Sequence, residues 1–206
     1  MCIRDSLYKT NKRDLLSLLV TFIITVIFGI ETGVLSGVIL SILQVLIKSS
    51  RPHIVELGSI LGTSYYKNLE RFDEAQRLDQ ILILRFDHSL YFANAEYFSS
   101  KVEDFLESSS REIYYVVIDA SHIDAIDSAG MHVLSDMDHS LKTQGVELHL
   151  ASASGPVRDA LFLAGLLKEE NKHHISVHNA IISIEARKND NDGLSHRKVN
   201  PLQTNG

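Results

Sequence analysis

The chain opens on a nearly unbroken apolar stretch and then changes to short apolar runs alternating with amphipathic ones. From Leu15 to Ile47 there are 33 residues with a single charge, Glu31. About 18 apolar residues suffice to cross a bilayer. The stretch is too long for a signal-peptide core, and no small-residue cleavage site follows it. A buried helix of a soluble protein seldom runs so far without a charged face. As one helix it would extend about 50 Å, against about 30 Å of hydrocarbon. The natural break is Gly29-Ile30-Glu31-Thr32-Gly33, where flexible glycines meet the only charge. Each half is then about 23 Å long, short for a full crossing. Lys9, Lys12 and Arg13 precede the stretch, and Lys48 and Arg51 follow it. Basic clusters gather on the cytoplasmic side of membranes. A helical hairpin over residues 15–48 satisfies both clusters, with Glu31 near the far side.

Gly29, Gly33, Gly37 and Ser41 recur every four residues. Small residues at this spacing let helices approach closely in lipid, so the second half of the hairpin is expected to pack against other helices. Glu31 reads in two ways. It is either an intramembrane acid with an ion-coupling role or an interfacial acid favoured by a helix N-terminus. Residues 1–14 form a lead-in, cytoplasmic or not native to the protein, within which Met1–Ser6 shows no organisation.

Beyond Pro52 the pattern predicts an α/β domain. A polar linker, residues 49–64, leads to Tyr65-Tyr66, an expected edge strand. Ile81 to Phe86, Tyr114 to Ile118 and Val146 to Ala151 are apolar runs of strand length, the middle one rich in β-branched and aromatic residues. Buried parallel strands have this character. Between them lie helical stripes: Phe98, Val102, Phe105 and Leu106 after Asn94, a good N-cap; then Gly130, Val133, Leu134, Met137 and Leu141 after Asp127, closed by Gly145. A third stripe, Val157, Ala160, Leu161 and Ala164, follows Ser154 and Pro156, and a last helix is expected around His178 to Ala186. Strands alternating with helices mean crossovers and a mixed, mostly parallel sheet. From residue 187 to 206 scarcely an apolar side chain remains, which predicts a disordered tail.

Charge separates the two parts. Residues 1–52 carry six Lys/Arg and three Asp/Glu; the remainder carries fourteen and twenty-three. The acidic body argues against nucleic acid as a partner. The single Cys2 excludes a disulfide framework and a cysteine-rich zinc site.

Three stretches resemble the C-terminal part of the SulP family of anion transporters, which end in a STAS domain (sulfate transporter and anti-sigma-factor antagonist). They are FGIETGVLSGV at Phe28 to Val38, leading to Ser49-Ser50-Arg51-Pro52-His53; ILRFDHSLYFANAEYF at Ile83 to Phe98; and VIDASHIDAIDSAG at Val117 to Gly130. The likeness extends over roughly residues 14 to 186. It implies a fold of two membrane helices followed by a STAS domain over residues 65–186. The helices would be the last two of a larger inverted-repeat bundle, whose anion site lies upstream at half-helix N-termini; by this reading the chain is a fragment that does not transport alone. The resemblance further implies secondary transport of sulfate, bicarbonate or a dicarboxylate, regulated by a cytoplasmic STAS domain at a bacterial cell membrane. Its partners would be the rest of the membrane domain, the lipid bilayer, a second copy as a homodimer, and a cytoplasmic regulatory protein at the STAS domain.

Asp127, Ser128 and Gly130 occupy the place where anti-sigma-factor antagonists carry a phosphorylated serine. Ser128 matches the acceptor, and Ala129 replaces a second hydroxyl. A phosphate there would meet a helix N-terminus. Equally, Asp127 or Ser128 simply caps the helix and Gly130 permits close packing. A membrane-anchored STAS signalling module switched at Ser128 is therefore the alternative to the transporter.

Other chemistry is excluded. A receiver domain needs an acidic pair and a late lysine; Asp119 follows the middle strand, but Asp87 has no acidic companion and Ala151 to Ser154 offers no lysine. No nucleophile elbow, P-loop or dinucleotide fingerprint occurs, so no enzyme and no cofactor are expected. The ten histidines are scattered. His132 and His139 share a helix face, and His173-His174 are placed in a loop near two Glu, but none forms a metal-ligand set.

Overall fold

The computed structural model describes residues 12–165 and 172–197. It divides into two compact units, Met1–Arg51 and Pro52–Gly206.

The first unit holds two antiparallel helices, α1 (Lys12–Phe28) and α2 (Ile30–Ser49). One residue separates them. Gly29 adopts φ 93° and ψ 171°, a left-handed region closed to most L side chains. Its N–H still donates to Thr25 O at 3.0 Å, and its carbonyl accepts from Gly33 N at 3.1 Å. Because Glu31, Thr32 and Gly33 continue the second helix, the two pieces are unequal. The 20 residues of α2 extend about 30 Å, enough for a full crossing, whereas the apolar part of α1, Leu15–Phe28, is shorter.

The second unit is built on a mixed sheet ordered β2-β1-β4-β5-β6-β7, with β3 also paired to β1. Its strands are β1 (Ile54–Ile60), β2 (Tyr66–Asn68), β3 (Ala75–Gln76), β4 (Ile81–Phe86), β5 (Tyr115–Asp119), β6 (Glu147–Ala151) and β7 (His173–His174). From β4 to β7 the strands are parallel, and β1 joins them antiparallel, with Leu57 opposite Ile83 and Ile54 opposite Phe86. Helices α3 (Ala95–Glu107), α4 (Ser128–Thr143) and α5 (Gly155–Leu163) form the crossovers, and α6 (Val177–Arg197) follows β7.

Alternation along β4 sorts its apolar side chains onto two faces. Leu82, Leu84 and Phe86 join a core with Phe98 and Val102 of α3, Leu134, Met137 and Leu141 of α4, and Leu161 of α5. Ile81 and Ile83 join a second core with Leu57 of β1 and Ala180, Ile181 and Ile184 of α6. Burying each large side chain contributes about 1.5–3 kcal/mol. Phe86 and Phe98 meet edge to face at 4.9 Å between ring centres. Helices cover both faces, which is why β4 and β5 are apolar at most positions.

Three expectations are corrected. The linker over residues 49–64 contains β1, whose burial alternates at its start, so residues through Ile60 belong to the sheet. His173-His174 is a strand, not a loop, pairing with Leu150 and Ala151. The helix at the end continues to Arg197 rather than giving way to a disordered tail at 187; once the turn at Val177 to Ile184 is anchored, extending a helix needs only one bond per residue. Residues 198–206 of that expected tail, the lead-in 1–11 and the two Glu at 169 and 170 lie outside the described residues.

Candidate functional site

The loop Asp127 to Gly130 sits at the C-terminal end of β5 and opens α4. Asp127 has extended backbone, φ −91° and ψ 178°, as an N-cap requires. Both carboxylate oxygens are engaged: Oδ1 accepts from Gly130 N at 2.8 Å and Oδ2 from Phe92 N at 3.0 Å. Its own N–H donates to Leu90 O at 3.1 Å, and Leu90 N donates to Ala125 O at 3.0 Å. The segment after β4 is thereby bound to the segment after β5.

Gly130 is held where a side chain has no room. A Cβ there would lie 2.8 Å from the Leu90 carbonyl oxygen. Ser128, one position past the cap, is exposed, as is Phe92 on the adjoining loop. The adjoining loop has its own lock. Asn94 stands at the N-cap of α3 yet makes no capping bond; instead, fully buried, it accepts from Tyr91 N at 3.0 Å and donates from Nδ2 to Ser89 O at 2.9 Å. Expected as a cap, Asn94 is a staple of the preceding turn.

A charged cluster occupies the same strand ends. Arg85 Nε lies 2.6 Å from Asp87 Oδ1, with His53 and His122 at 3.8 and 3.9 Å from the same carboxylate. Asp119 accepts from Ser121 N at 3.1 Å. The Asp87 hydrogen bond raises the Arg85 pKa, with the charges of Asp87 and Asp119 adding to it. Asp87 is thus paired with a cation two residues away, which no linear motif announces.

In the hairpin, the small-residue series does two separate things. Gly33 is buried against α1: a Cβ on it would come within 2.9 Å of Thr25 Cα, and one on Gly37 within 3.2 Å of Thr21 Cγ2. Gln44 Nε2 donates to Ser17 Oγ at the next step. Gly29 makes the break, with open space around it, and Ser41 is exposed. Glu31 lies exposed in the first turn of α2.

Of the histidines, His132 faces Asp136 at 3.5 Å on the surface of α4. His174 is buried with its Nε2 3.1 Å from Nδ1 of buried His149, a pair 25 residues apart that sequence reasoning missed. Among the described residues no three His, Cys, Asp or Glu side chains gather as metal ligands.

Comparison with known proteins supplies the kinship. The STAS-domain family model matches residues 74–180. Sulfate transporter 1.3 of Arabidopsis thaliana is 28% identical over 77% of this chain and 25% of its own length. Probable sulfate transporter 4.2 of the same plant is 32% identical over 66% of this chain and 22% of its own, and High affinity sulfate transporter 1 of Stylosanthes hamata is 29% identical over 85% and 28%. Among solved structures, the murine Solute Carrier 26 family member A9 anion transporter in its inward-facing state shares the fold, with a TM-score of 0.78 at 23% identity, over 90% of this chain and 31% of that one. The chain spans about a quarter of the length of these curated relatives. A mixed sheet begun by an antiparallel strand and continued by parallel crossovers, matched from residue 74 to 180, leads to one conclusion: the chain belongs to the STAS-domain family, among relatives that are sulfate transporters.

Proposed function

We propose that this chain is the C-terminal part of a SulP-type secondary anion transporter, its hairpin completing a membrane domain and its STAS domain regulating transport or assembly from the cytoplasm. The observation that carries the reading is joint: identity to sulfate transporters extends across as much as 85% of the chain, so it takes in part of the helical hairpin as well as the α/β domain. Sulfate is the favoured anion on the strength of the relatives' names, ahead of bicarbonate or a dicarboxylate. The membrane would be a bacterial cell membrane, as the resemblance implies.

The hairpin's own chemistry supports a lipid setting. Leu16, Phe22, Val26, Val34, Leu35 and Val45 are all more than half exposed, and burying such surface stabilises by about 25 cal/mol per Å². Several of its hydroxyls are paired within the helices: Thr25 Oγ1 donates to Thr21 O and Ser36 Oγ to Gly33 O, both at 2.8 Å. Hydrocarbon demands this internal pairing. The remaining helices of the membrane domain, the bilayer and a second copy would share the outward faces.

In the STAS domain, the surface around Ser128 and Phe92 is the proposed contact for a cytoplasmic regulatory protein, since both are exposed beside a rigidly capped helix start. The alternative, a hairpin-anchored signalling module switched by phosphorylation, is not favoured, because the relatives are transporters.

The test is uptake. The complete reading frame that contains this chain, expressed in cells lacking sulfate uptake, should accumulate labelled sulfate and lose most of that activity when residues 52–206 are removed. Failure to take up sulfate, bicarbonate and dicarboxylates alike would sink the proposal.

A further inference from the structure

The opposite end of the sheet carries a second feature, apart from the Asp127 loop. Glu56 on β1 is nearly buried, its side chain 12% exposed, and two guanidiniums converge on it. Arg77 Nε donates to both of its oxygens at 3.1 Å, and Arg111 Nη2 donates to Oε1 at 2.8 Å. A further Arg111 nitrogen donates to Leu78 O at 2.5 Å. Glu56, Arg77 and Arg111 line a cavity of about 410 Å³ together with Leu82, Phe105 and the exposed Ser110.

Glu56 is the carboxylate that both guanidiniums bond, and the charge of Asp79 also acts on Arg111. Both guanidiniums line the cavity, although the region from residue 53 onward is acidic, with twenty-three Asp/Glu to fourteen Lys/Arg. Burial holds the Arg111 pKa below its usual range, with the neighbouring Arg77 charge acting the same way, while Glu56 and, last, Asp79 pull against them. One carboxylate thus shares its hydrogen bonds between two guanidiniums at the cavity wall. An anion entering the cavity would add acceptors for them, since guanidinium groups bind carboxylate and phosphate oxygens through paired N–H donors. The size falls in the range of small-molecule sites, which combine an apolar floor with a few placed polar groups.

We propose that this cavity binds a small organic anion, its phosphate or carboxylate head on Arg77 and Arg111 and its apolar or aromatic tail on Leu82 and Phe105. The site belongs to the soluble domain alone and stands whether or not the transporter reading holds.

Calorimetric titration of the full chain in detergent micelles tests it, with phenyl phosphate and benzoate as probes, inorganic phosphate as head alone and phenol as tail alone. At least one of the two aromatic anions should bind saturably and more tightly than either control, and the affinity should fall as salt is added. Arg77 is largely exposed, and Glu56 keeps Arg111 when it is lost, so Arg77→Ala should fold and weaken binding about tenfold or more. Ser110→Glu removes no contact with the triad but places a negative charge at the rim, and should abolish binding. Absence of saturable binding by both aromatic anions, or binding unchanged in Ser110→Glu, would overturn the site and leave the triad a structural staple between β1 and the turn before β5.

Discussion

Asp127 Oδ2 accepts the backbone N–H of Phe92 at 3.0 Å, while the other oxygen of the same carboxylate caps α4 at Gly130. One side chain thus holds two loops 35 residues apart. Asp127→Ala should lose about 1–2 kcal/mol from the missing cap, and more from the amide left at Phe92. Asp127→Asn keeps one acceptor oxygen and should lose less. Urea unfolding of both variants checks the order; equal stability of Asp127→Ala and the parent would show that the carboxylate holds nothing.

Gly33 and Gly37 face α1 at different clearances. Gly33→Ala would drive a methyl into Thr25, backbone included, whereas Gly37→Ala meets only the Thr21 methyl at 3.2 Å. Overpacking of the first kind costs about 1–3 kcal/mol. With cysteines replacing Ser17 and Gln44, bridging by a short bis-maleimide in membranes should fall markedly in Gly33→Ala and only slightly in Gly37→Ala. Equal yields would refute the close approach.

The proposed membrane hairpin predicts a topology. A cysteine at Glu31 and one in the soluble domain, at exposed Ser121, should react with an impermeant thiol reagent from opposite sides of the membrane. Labelling of both from the cytoplasmic side would dismiss the two-crossing arrangement.

His173 supplies a pH dependence. Burial, assisted by the charge of Arg158, lowers its pKa. The folded protein therefore favours the neutral ring, and the unfolded chain takes up the proton first. This contribution to stability is complete above the ordinary histidine value of about 6.5 and shrinks as pH falls through it toward the lower folded value. Between pH 7.5 and 5.5 the parent should lose more unfolding free energy than His173→Gln. Identical losses would mean that His173 titrates as it does in the unfolded chain.

Much of this was legible in the linear pattern, for reasons that also explain the gaps. Strands β4 and β5 read plainly because a parallel strand covered on both faces is mostly apolar, and β6 still shows Leu148, Leu150 and Ala151 around His149. β1 escaped notice because Glu56, Gly58 and Ser59 interrupt it; an antiparallel strand near the sheet's border tolerates such positions, and Glu56 serves the two arginines. The cap at Asp127 follows from local spacing, but its second bond to Phe92 does not. Asn94 shows the limit from the other side: an N-cap residue at the expected place spends its amide on Ser89 and Tyr91, since a tertiary turn there needed both a donor and an acceptor. His149 and His174 meet only because neighbouring strands bring them together.

The borders of the sheet have a consequence for how copies of this domain can associate. The outermost strands, β2 and β7, are three and two residues long, so almost no run of open main-chain groups is offered to a neighbour. Among the described residues, ribbon-to-ribbon extension through β2 or β7 has little main chain to work with, so a contact between copies through this unit would rest on side chains of helices and loops, which single substitutions can tune or dissolve.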